Sequence, residues 1–123
     1  MKTLPWRHIY AGLLAAFFVI GGTLNIFASD VILADYERWG YPDWFHYVTG
    51  GLEWLTAVLI ASPTARQFGN LLGCGVMAAA AATVLLHGET GHAVPPLTVF
   101  VLVVLNGWIT KRATARTGFR PDM

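Results

Sequence analysis

The sequence predicts an all-α integral membrane protein, a four-helix bundle whose N- and C-termini both lie in the cytoplasm. Hydrophobic residues make up 55% of the 123 residues and charged residues only 12%, whereas a soluble domain carries about 25% charged residues. Four apolar segments approach the roughly 20 residues needed to cross a bilayer, and no long polar linker separates them. A single membrane domain over residues 1–123, surrounded mainly by the lipid bilayer, is therefore predicted.

The four predicted spans lie at residues 8–28, 43–62, 68–87 and 94–109. The first follows basic residues, as a signal peptide does, but its apolar run is long for one, so a true span is expected. Residues 29–43 mix apolar and acidic side chains and predict a short helix in the membrane interface. Small residues such as Gly69 and Gly73, a GxxxG pair, favour close helix packing in lipid.

The basic residues predict the orientation. Four spans put both termini on one side, and seven of the eight Lys and Arg residues fall on that side, leaving only Arg38 opposite. Loops rich in Lys and Arg face the cytoplasm, so the termini are predicted to be cytoplasmic. The seven residues are Lys2, Arg7, Arg66, Lys111, Arg112, Arg116 and Arg120.

Glu53 is the acid that the second span places near the middle of the membrane. A carboxylate there costs at least a few kcal/mol, so it is expected to face the bundle interior with a partner or a proton. Desolvation disfavours the charged form, and either state suits a group that exchanges protons with a ligand. The alternative is a protonated Glu53 that only hydrogen-bonds a neighbouring helix.

Polar residues at helical spacing accompany Glu53. His46 and Thr49 lie on the same face of the second span, with His46 about 10 Å farther along the axis. If adjacent spans pack antiparallel, their polar groups come together in the outer half of the bundle. A mostly apolar pocket with a few converging polar groups is the usual form of a small-molecule site. We predict Glu53, His46 and His87 as the proton-exchanging groups, and Asn25, Thr49, Trp54 and Thr83 as lining residues.

Several other classes of function are excluded or disfavoured. The net charge of +1 is too small to indicate nucleic-acid binding, and the single Cys74 excludes an internal disulfide or a Cys-rich metal motif. Cys74 and Asn106 are predicted to be packing residues. The stretch HGETGH, residues 87–92, lacks the HExxH spacing, so no metal site is predicted. No Ser-His-Asp grouping or phosphate-binding glycine loop is present, and no covalent cofactor is expected.

The sequence resembles the DoxX-like family of small four-span bacterial membrane proteins. The resemblance rests on GGTLNIFAS at the end of the first span, WGYPDWFHYVTGGLEWLTAVLIASP, LLHGE and the Pro-led fourth span. It implies a four-helix membrane bundle in the bacterial cytoplasmic (inner) membrane. Relatives are linked with thiosulfate:quinone oxidoreductase subunits and with complexes that handle thiol stress. A chain with a single cysteine does not fit redox activity of its own, so electrons would pass through a quinone or a partner protein.

Three functions remain open from the sequence. The first is a membrane subunit that holds a lipophilic ligand, such as a quinone, and supports a partner oxidoreductase. The second is a stand-alone enzyme that uses Glu53 as acid or base on an isoprenoid-like or other lipid substrate. The third is a structural subunit, in a membrane complex or a homo-oligomer, in which Glu53 forms only an interhelical hydrogen bond.

Overall fold

Over the described part of the chain, every regular element is helical. The computed structural model describes the backbone of residues 6–118 and the side chains of residues 6–113. The elements are α1 (Trp6–Ile26), α2 (Asp30–Arg38), α3 (Phe45–Ala61), α4 (Arg66–Leu86), a 3-10 turn (Thr90–Ala93) and α5 (Val94–Gly118). Lys2, Arg120 and the side chain of Arg116, which contribute to the predicted orientation, lie outside the described residues.

Three of the described segments are long and apolar enough to cross a membrane. They are Trp6–Ile26, Arg66–Leu86 and Thr90–Ala113. The second predicted span corresponds to α3, which has 17 residues and is therefore about 25 Å long at 1.5 Å per residue. It is shorter than the other three and slightly shorter than the roughly 30 Å hydrocarbon layer.

Two helix boundaries differ from the prediction. Residue 66 was expected in a loop before a span at 68–87, but α4 begins at Arg66, and this side chain is only 6% exposed. The fourth span was expected to end at residue 109, whereas α5 continues to Gly118. Polar residues continue a helix beyond its apolar run when nothing in the backbone stops it, and neither Gly nor Pro interrupts residues 108–117.

The helices pack in the order α1, α3, α4, α5, and α1 meets α5 more loosely. Apolar side chains fill the centre, and those of Phe18, Ile60 and Val103 are fully buried. Cys74 packs against this core as a partly buried residue. Asn106 forms the predicted packing hydrogen bond, since its Nδ2 donates to Asn70 Oδ1 at 2.7 Å. The core is thus mostly apolar, and the buried polar residues among those described are His46, Glu53, Thr56, Arg66, Asn70, Thr83 and Asn106.

Glycines set the closest helix approaches. A Cβ added at Gly50 would lie 2.7 Å from the carbonyl oxygen of Gly22, and one at Gly22 would lie 2.8 Å from that of Gly50. On the next interface, a Cβ at Gly69 would lie 2.6 Å from the backbone nitrogen of Ile60. The backbones of α1 and α3, and of α3 and α4, therefore touch where the sequence supplies no side chain.

Large apolar side chains cover the outer surface of the bundle. Leu13, Phe68, Leu71 and Leu86 are each at least 70% exposed. A soluble protein rarely exposes a continuous apolar surface of this kind. A lipid bilayer is the environment that these apolar helices indicate.

The connection between α1 and α3 folds back over one end of the bundle. Ser29 caps α2, because its hydroxyl accepts a hydrogen bond from the backbone nitrogen of Ile32 at 3.3 Å. After α2 the chain turns at Gly40, whose φ of 84° favours glycine. This turn brings Tyr41 and Phe45 to the bundle, with their rings stacked at 4.4 Å.

Candidate ligand cavity

An open cavity of about 570 Å³ lies between α2, α3, α4 and α5. Its wall is mostly apolar, with contributions from Phe17, Met77 and Val99 among others. A few polar groups interrupt this wall, and they are Asp35, Tyr36, Tyr41, Thr49, Glu53, Thr83 and His92. A large apolar space with a few converging polar groups is the usual form of a small-molecule site.

Glu53 is the acid of this cavity and is only 5% exposed. Its Oε1 accepts a hydrogen bond from Asn25 Nδ2 at 2.8 Å. Its Oε2 accepts none from the described side chains or backbone, and no Lys or Arg among those residues forms an ion pair with it. One oxygen of Glu53 therefore has no hydrogen-bond partner among the described residues, while the other is held by an uncharged partner.

A missing side chain on α1 makes room for this carboxyl group. A Cβ added at Gly21 would lie 2.9 Å from Glu53 Oε2 and 3.3 Å from Oε1. Any larger residue at position 21 would push the carboxyl group away from α1. The glycine thus allows Glu53 to sit beside the α1 backbone within reach of Asn25.

Asn25 is itself held in place by groups from three directions. Its Nδ2 also donates to the carbonyl oxygen of Gly21 at 3.1 Å, and the phenol of Tyr36 donates to its Oδ1 at 2.7 Å. Burial raises the pKa of the Tyr36 phenol, so this group remains a donor. His46 Nδ1 contacts the carbonyl oxygen of Asn25 at 2.8 Å. These bonds leave the amide Nδ2 facing Glu53 in one orientation.

Hydroxyl groups line the cavity opposite and above Glu53. The phenol of Tyr41 is hydrogen-bonded to the hydroxyl of Thr83, which also donates to the carbonyl oxygen of Ala79 at 2.9 Å. Thr49 lies one turn from Glu53 on α3, and its side chain is a second hydroxyl of the wall. A ligand oxygen in this part of the cavity would meet hydroxyl groups and a carboxyl group within an apolar enclosure.

An ion pair lies beside the cavity, next to the lining residues Trp39 and His92. Arg38, the last residue of α2, donates from Nε to Glu89 Oε2 at 2.9 Å and from Nη2 to Glu89 Oε1 at 3.0 Å. Trp39 Nε1 donates to the same carboxylate at 3.3 Å. These bonds hold the pKa of Glu89 at about 2, below its usual 4.5, and raise that of Arg38. The pair fastens α2 to the loop between α4 and α5.

A second apolar cavity of about 500 Å³ adjoins the first between α1 and α5. The two cavities share Phe17, Pro95 and Val99 in their walls. At the far end of the second cavity, the phenol of Tyr10 donates to the carbonyl oxygen of Leu102 at 2.8 Å. Because α1 and α5 pack loosely, this space forms an apolar groove that lies next to the first cavity and reaches the exposed side chain of Leu13.

The structure brings some of the predicted site residues together and separates others. Glu53, Thr49 and Thr83 line the cavity, and Asn25 lies directly behind Glu53. His46 is buried at 6% exposure but contacts Asn25 rather than the cavity. His87 is exposed at the end of α4, where its Nδ1 contacts the carbonyl oxygen of Thr83 at 2.8 Å, so it does not join the other groups.

Trp54, which was predicted to line the site, lies against α1 instead. Its Nε1 is 3.3 Å from both the carbonyl oxygen of Val19 and the hydroxyl of Thr23. Successive residues of a helix are about 100° apart, so Trp54 cannot share the cavity face of Glu53. The side chain is 38% exposed.

Sequence reasoning missed the contribution of the connection after α1. The sequence indicates only that Tyr36, Trp39 and Tyr41 belong to the interfacial segment 29–43, yet all three line the cavity. The one available signal was Gly40, which permits the turn that returns Tyr41 to the bundle. Among the described residues, no group of three or more His, Cys, Asp or Glu side chains is placed to hold a metal ion.

These features define a small, all-helical, multi-pass membrane protein with a largely apolar internal cavity. A family model described as the DoxX-like family matches residues 9–106. The match covers most of the sequence, and the chain belongs to the DoxX-like family. Comparisons with curated proteins and with solved structures find no significant match.

Proposed function

We propose that the protein holds an amphiphilic, lipid-soluble ligand, such as a quinone, as an accessory subunit of a membrane oxidoreductase. The observation that carries the proposal is the buried carboxyl group of Glu53, which lines an apolar cavity that adjoins a groove between α1 and α5. A ligand with a polar head and a long apolar tail matches this combination. The head would lie at Glu53 and the tail would follow the groove toward the lipid.

The polar groups support a head that carries oxygen atoms. Protonated Glu53 donates to a ligand oxygen, and the ionised form accepts a proton or hydrogen bond from a ligand hydroxyl. The hydroxyl oxygens of Thr49 and Thr83, whose hydrogens are directed at backbone carbonyl oxygens, offer acceptors to a ligand hydroxyl on neighbouring walls. A quinone or quinol head presents oxygens of these two kinds, and the apolar wall accommodates its ring.

The topology that we propose has four spans, with both termini in the cytoplasm and the cavity near the opposite surface of a bacterial inner membrane. The three spanning helices are joined by α3, which packs between α1 and α4. Seven of the eight basic residues lie on the side of the termini. Since Cys74 is the single cysteine, electrons for a bound quinone would come from a protein partner.

The test is to extract the protein into lipid discs and to identify co-purifying lipids, quinones and proteins by mass spectrometry. Ala80 lines the cavity, whereas Ala78 on the same helix is exposed. Ala80→Trp fills the cavity, and Ala78→Trp places the same bulk in the lipid. We expect a quinone or another polar-headed isoprenoid to be enriched with the wild type and Ala78→Trp, and to be lost with Ala80→Trp.

Glu53→Gln separates the role of the carboxyl group from that of the space. The amide preserves shape and hydrogen bonding but cannot exchange a proton, so we expect the ligand to be retained with lower occupancy. Equal lipid contents in the wild type and Ala80→Trp would contradict ligand binding in this cavity. Enrichment of the ligand without any co-purifying oxidoreductase would contradict the accessory role but not ligand binding.

A further inference from the structure

A second, smaller cavity lies at the opposite end of the bundle, where α1 and α4 begin and α5 nears its end. Its volume is about 170 Å³, and none of its lining residues belongs to the cavity around Glu53. Its polar lining consists of Arg7, His8, Arg66 and Thr110. Every ionisable side chain in this lining is therefore a cation or an imidazole.

Arg66 is the most deeply placed of these groups, at 6% exposure. Its Nε donates to the carbonyl oxygen of Ile60 at 2.6 Å, and its Nη2 lies 3.5 Å from that of Ala61. Among residues 6–113, no carboxylate forms an ion pair with Arg66. A buried charge is normally paired, but here the groups around the guanidinium are uncharged or carry the same sign.

The contact between Arg66 and His8 determines which hydrogen the imidazole offers. Arg66 Nη1 lies 3.0 Å from His8 Nδ1. A guanidinium is only a donor, so Nδ1 accepts and the ring of this neutral histidine carries its proton on Nε2. His8 is thereby arranged as a donor, in addition to the guanidinium groups and the Thr110 hydroxyl that line the same space.

We propose that this cavity binds a phosphate group. Guanidinium groups pair with phosphate oxygens through parallel hydrogen bonds, and the Nε2–H of His8 and the hydroxyl of Thr110 supply neutral donors. The first turn of α4, which starts at Arg66, adds the partial positive charge of a helix N-terminus. The volume of about 170 Å³ has room for a tetrahedral anion together with a few water molecules, since a liquid water molecule occupies about 30 Å³.

Two sources offer this chemistry, namely the headgroup of an anionic membrane lipid and free inorganic phosphate. Binding is measured by calorimetry with the purified full chain in neutral detergent, using dioctanoyl phosphatidylglycerol in one arm and inorganic phosphate in the other. Dioctanoyl glycerol, which lacks phosphate, controls for insertion of the acyl chains. Saturable binding of the lipid alone identifies a headgroup site, and phosphate that binds and displaces the lipid identifies a site for the free anion.

Arg66→Gln and Arg7→Gln test the cavity, and Lys111→Gln is the matched control. Lys111 is an exposed cation at the same end of the bundle and does not line the cavity. We expect each arginine variant to weaken phosphate or lipid binding about tenfold or more, as expected for loss of a charged hydrogen bond. The control is expected to change it less than about twofold.

Arg66→Gln also removes bonds to the end of α3, so this variant can fail to fold. Arg7→Gln lacks that complication, because no hydrogen bond joins its side chain to α3, and it tests the proposal by itself. Binding that falls equally in Arg7→Gln and Lys111→Gln would show only diffuse attraction to a basic surface and would overturn the proposal. Absence of saturable binding of both probes to the wild type would overturn it as well.

Discussion

Gly50 provides the most direct test of how the bundle is held together. In Gly50→Ala, the new Cβ would lie 2.7 Å from the carbonyl oxygen of Gly22, 3.0 Å from the backbone nitrogen of Ile26 and 2.6 Å from its Cγ1. Two of these three atoms belong to the backbone of α1, so rotation of a side chain cannot relieve the overlap. The helices α1 and α3 must move apart.

The size of the effect follows from the distance. Ordinary contact begins at 3.4 Å, so the Cβ and the Gly22 oxygen must separate from 2.7 Å by about 0.7 Å. A gap of about 0.5–1 Å loses a quarter to a half of the dispersion energy of each contact along the interface. Overpacking of this kind costs about 1–3 kcal/mol, and we expect the free energy of unfolding of Gly50→Ala to be lower by that amount than that of a Gly-to-Ala change at an open position of the same helix.

Gly51→Ala is the matched control because it makes the same change one residue later. A Cβ at Gly51 meets nothing within 4 Å, and alanine is a better helix former than glycine by about 1 kcal/mol. Stability is therefore expected to stay the same or to rise slightly. Reversible unfolding in bicelles, followed by circular dichroism, measures both variants. Equal stabilities within about 0.5 kcal/mol would refute the close approach of α1 and α3 at Gly50.

Two further predictions concern the cavity and the ion pair beside it. Gly21→Ala should displace the Glu53 carboxyl group, because the new Cβ lies 2.9 Å from Oε2, and we expect ligand occupancy to fall several-fold. The control is Gly12→Ala, whose Cβ meets nothing within 4 Å and which should leave ligand occupancy unchanged. Mass spectrometry of the bound ligand measures both variants, and equal occupancy would argue against the predicted displacement. The pKa of Glu89 is about 2 in the folded protein, against an ordinary value of 4.5 for an unpaired glutamate. The stabilisation that the ion pair with Arg38 provides is therefore complete above pH 4.5 and is lost as the pH falls through about 2. We expect the carboxyl ¹³C shift of Glu89 to titrate near pH 2 in the wild type and nearer 4.5 in Arg38→Gln, and a wild-type midpoint near 4.5 would contradict the pairing.

The positions of the long helices could be predicted well because lipid imposes a local rule. A run of apolar residues long enough to cross the bilayer must be helical so that its backbone N–H and C=O groups are hydrogen-bonded. Each predicted span overlaps a helix, and most of the predicted ends lie within a few residues of the observed ones. The exceptions lie where polarity stops being informative, at Arg66 and beyond residue 109. A buried arginine begins α4 because its guanidinium satisfies carbonyl oxygens at the end of α3, which no local pattern reveals.

The candidate site was only partly predictable for a related reason. Glu53 stands out because an acid within an apolar span must be buried, and helical spacing puts Thr49 on its face. Tyr36 and Tyr41 gave no comparable signal, since aromatic residues near a span are equally typical of the membrane surface. Their place in the cavity depends on the turn at Gly40 and on hydrogen bonds to Asn25 and Thr83.

The sequence by itself determined a helical membrane protein, the approximate extent of its long helices and the burial of one acid, because hydrophobicity and the helical period act within a single segment. Only the tertiary structure decided that Asn25 partners Glu53, that Arg38 pairs with Glu89, and that Trp54 and His87 lie outside the cavity. These outcomes depend on where two backbones come close enough to touch. The separation of two helices is set jointly by glycines on both, such as Gly22 and Gly50, so the sequence of one helix alone cannot determine it.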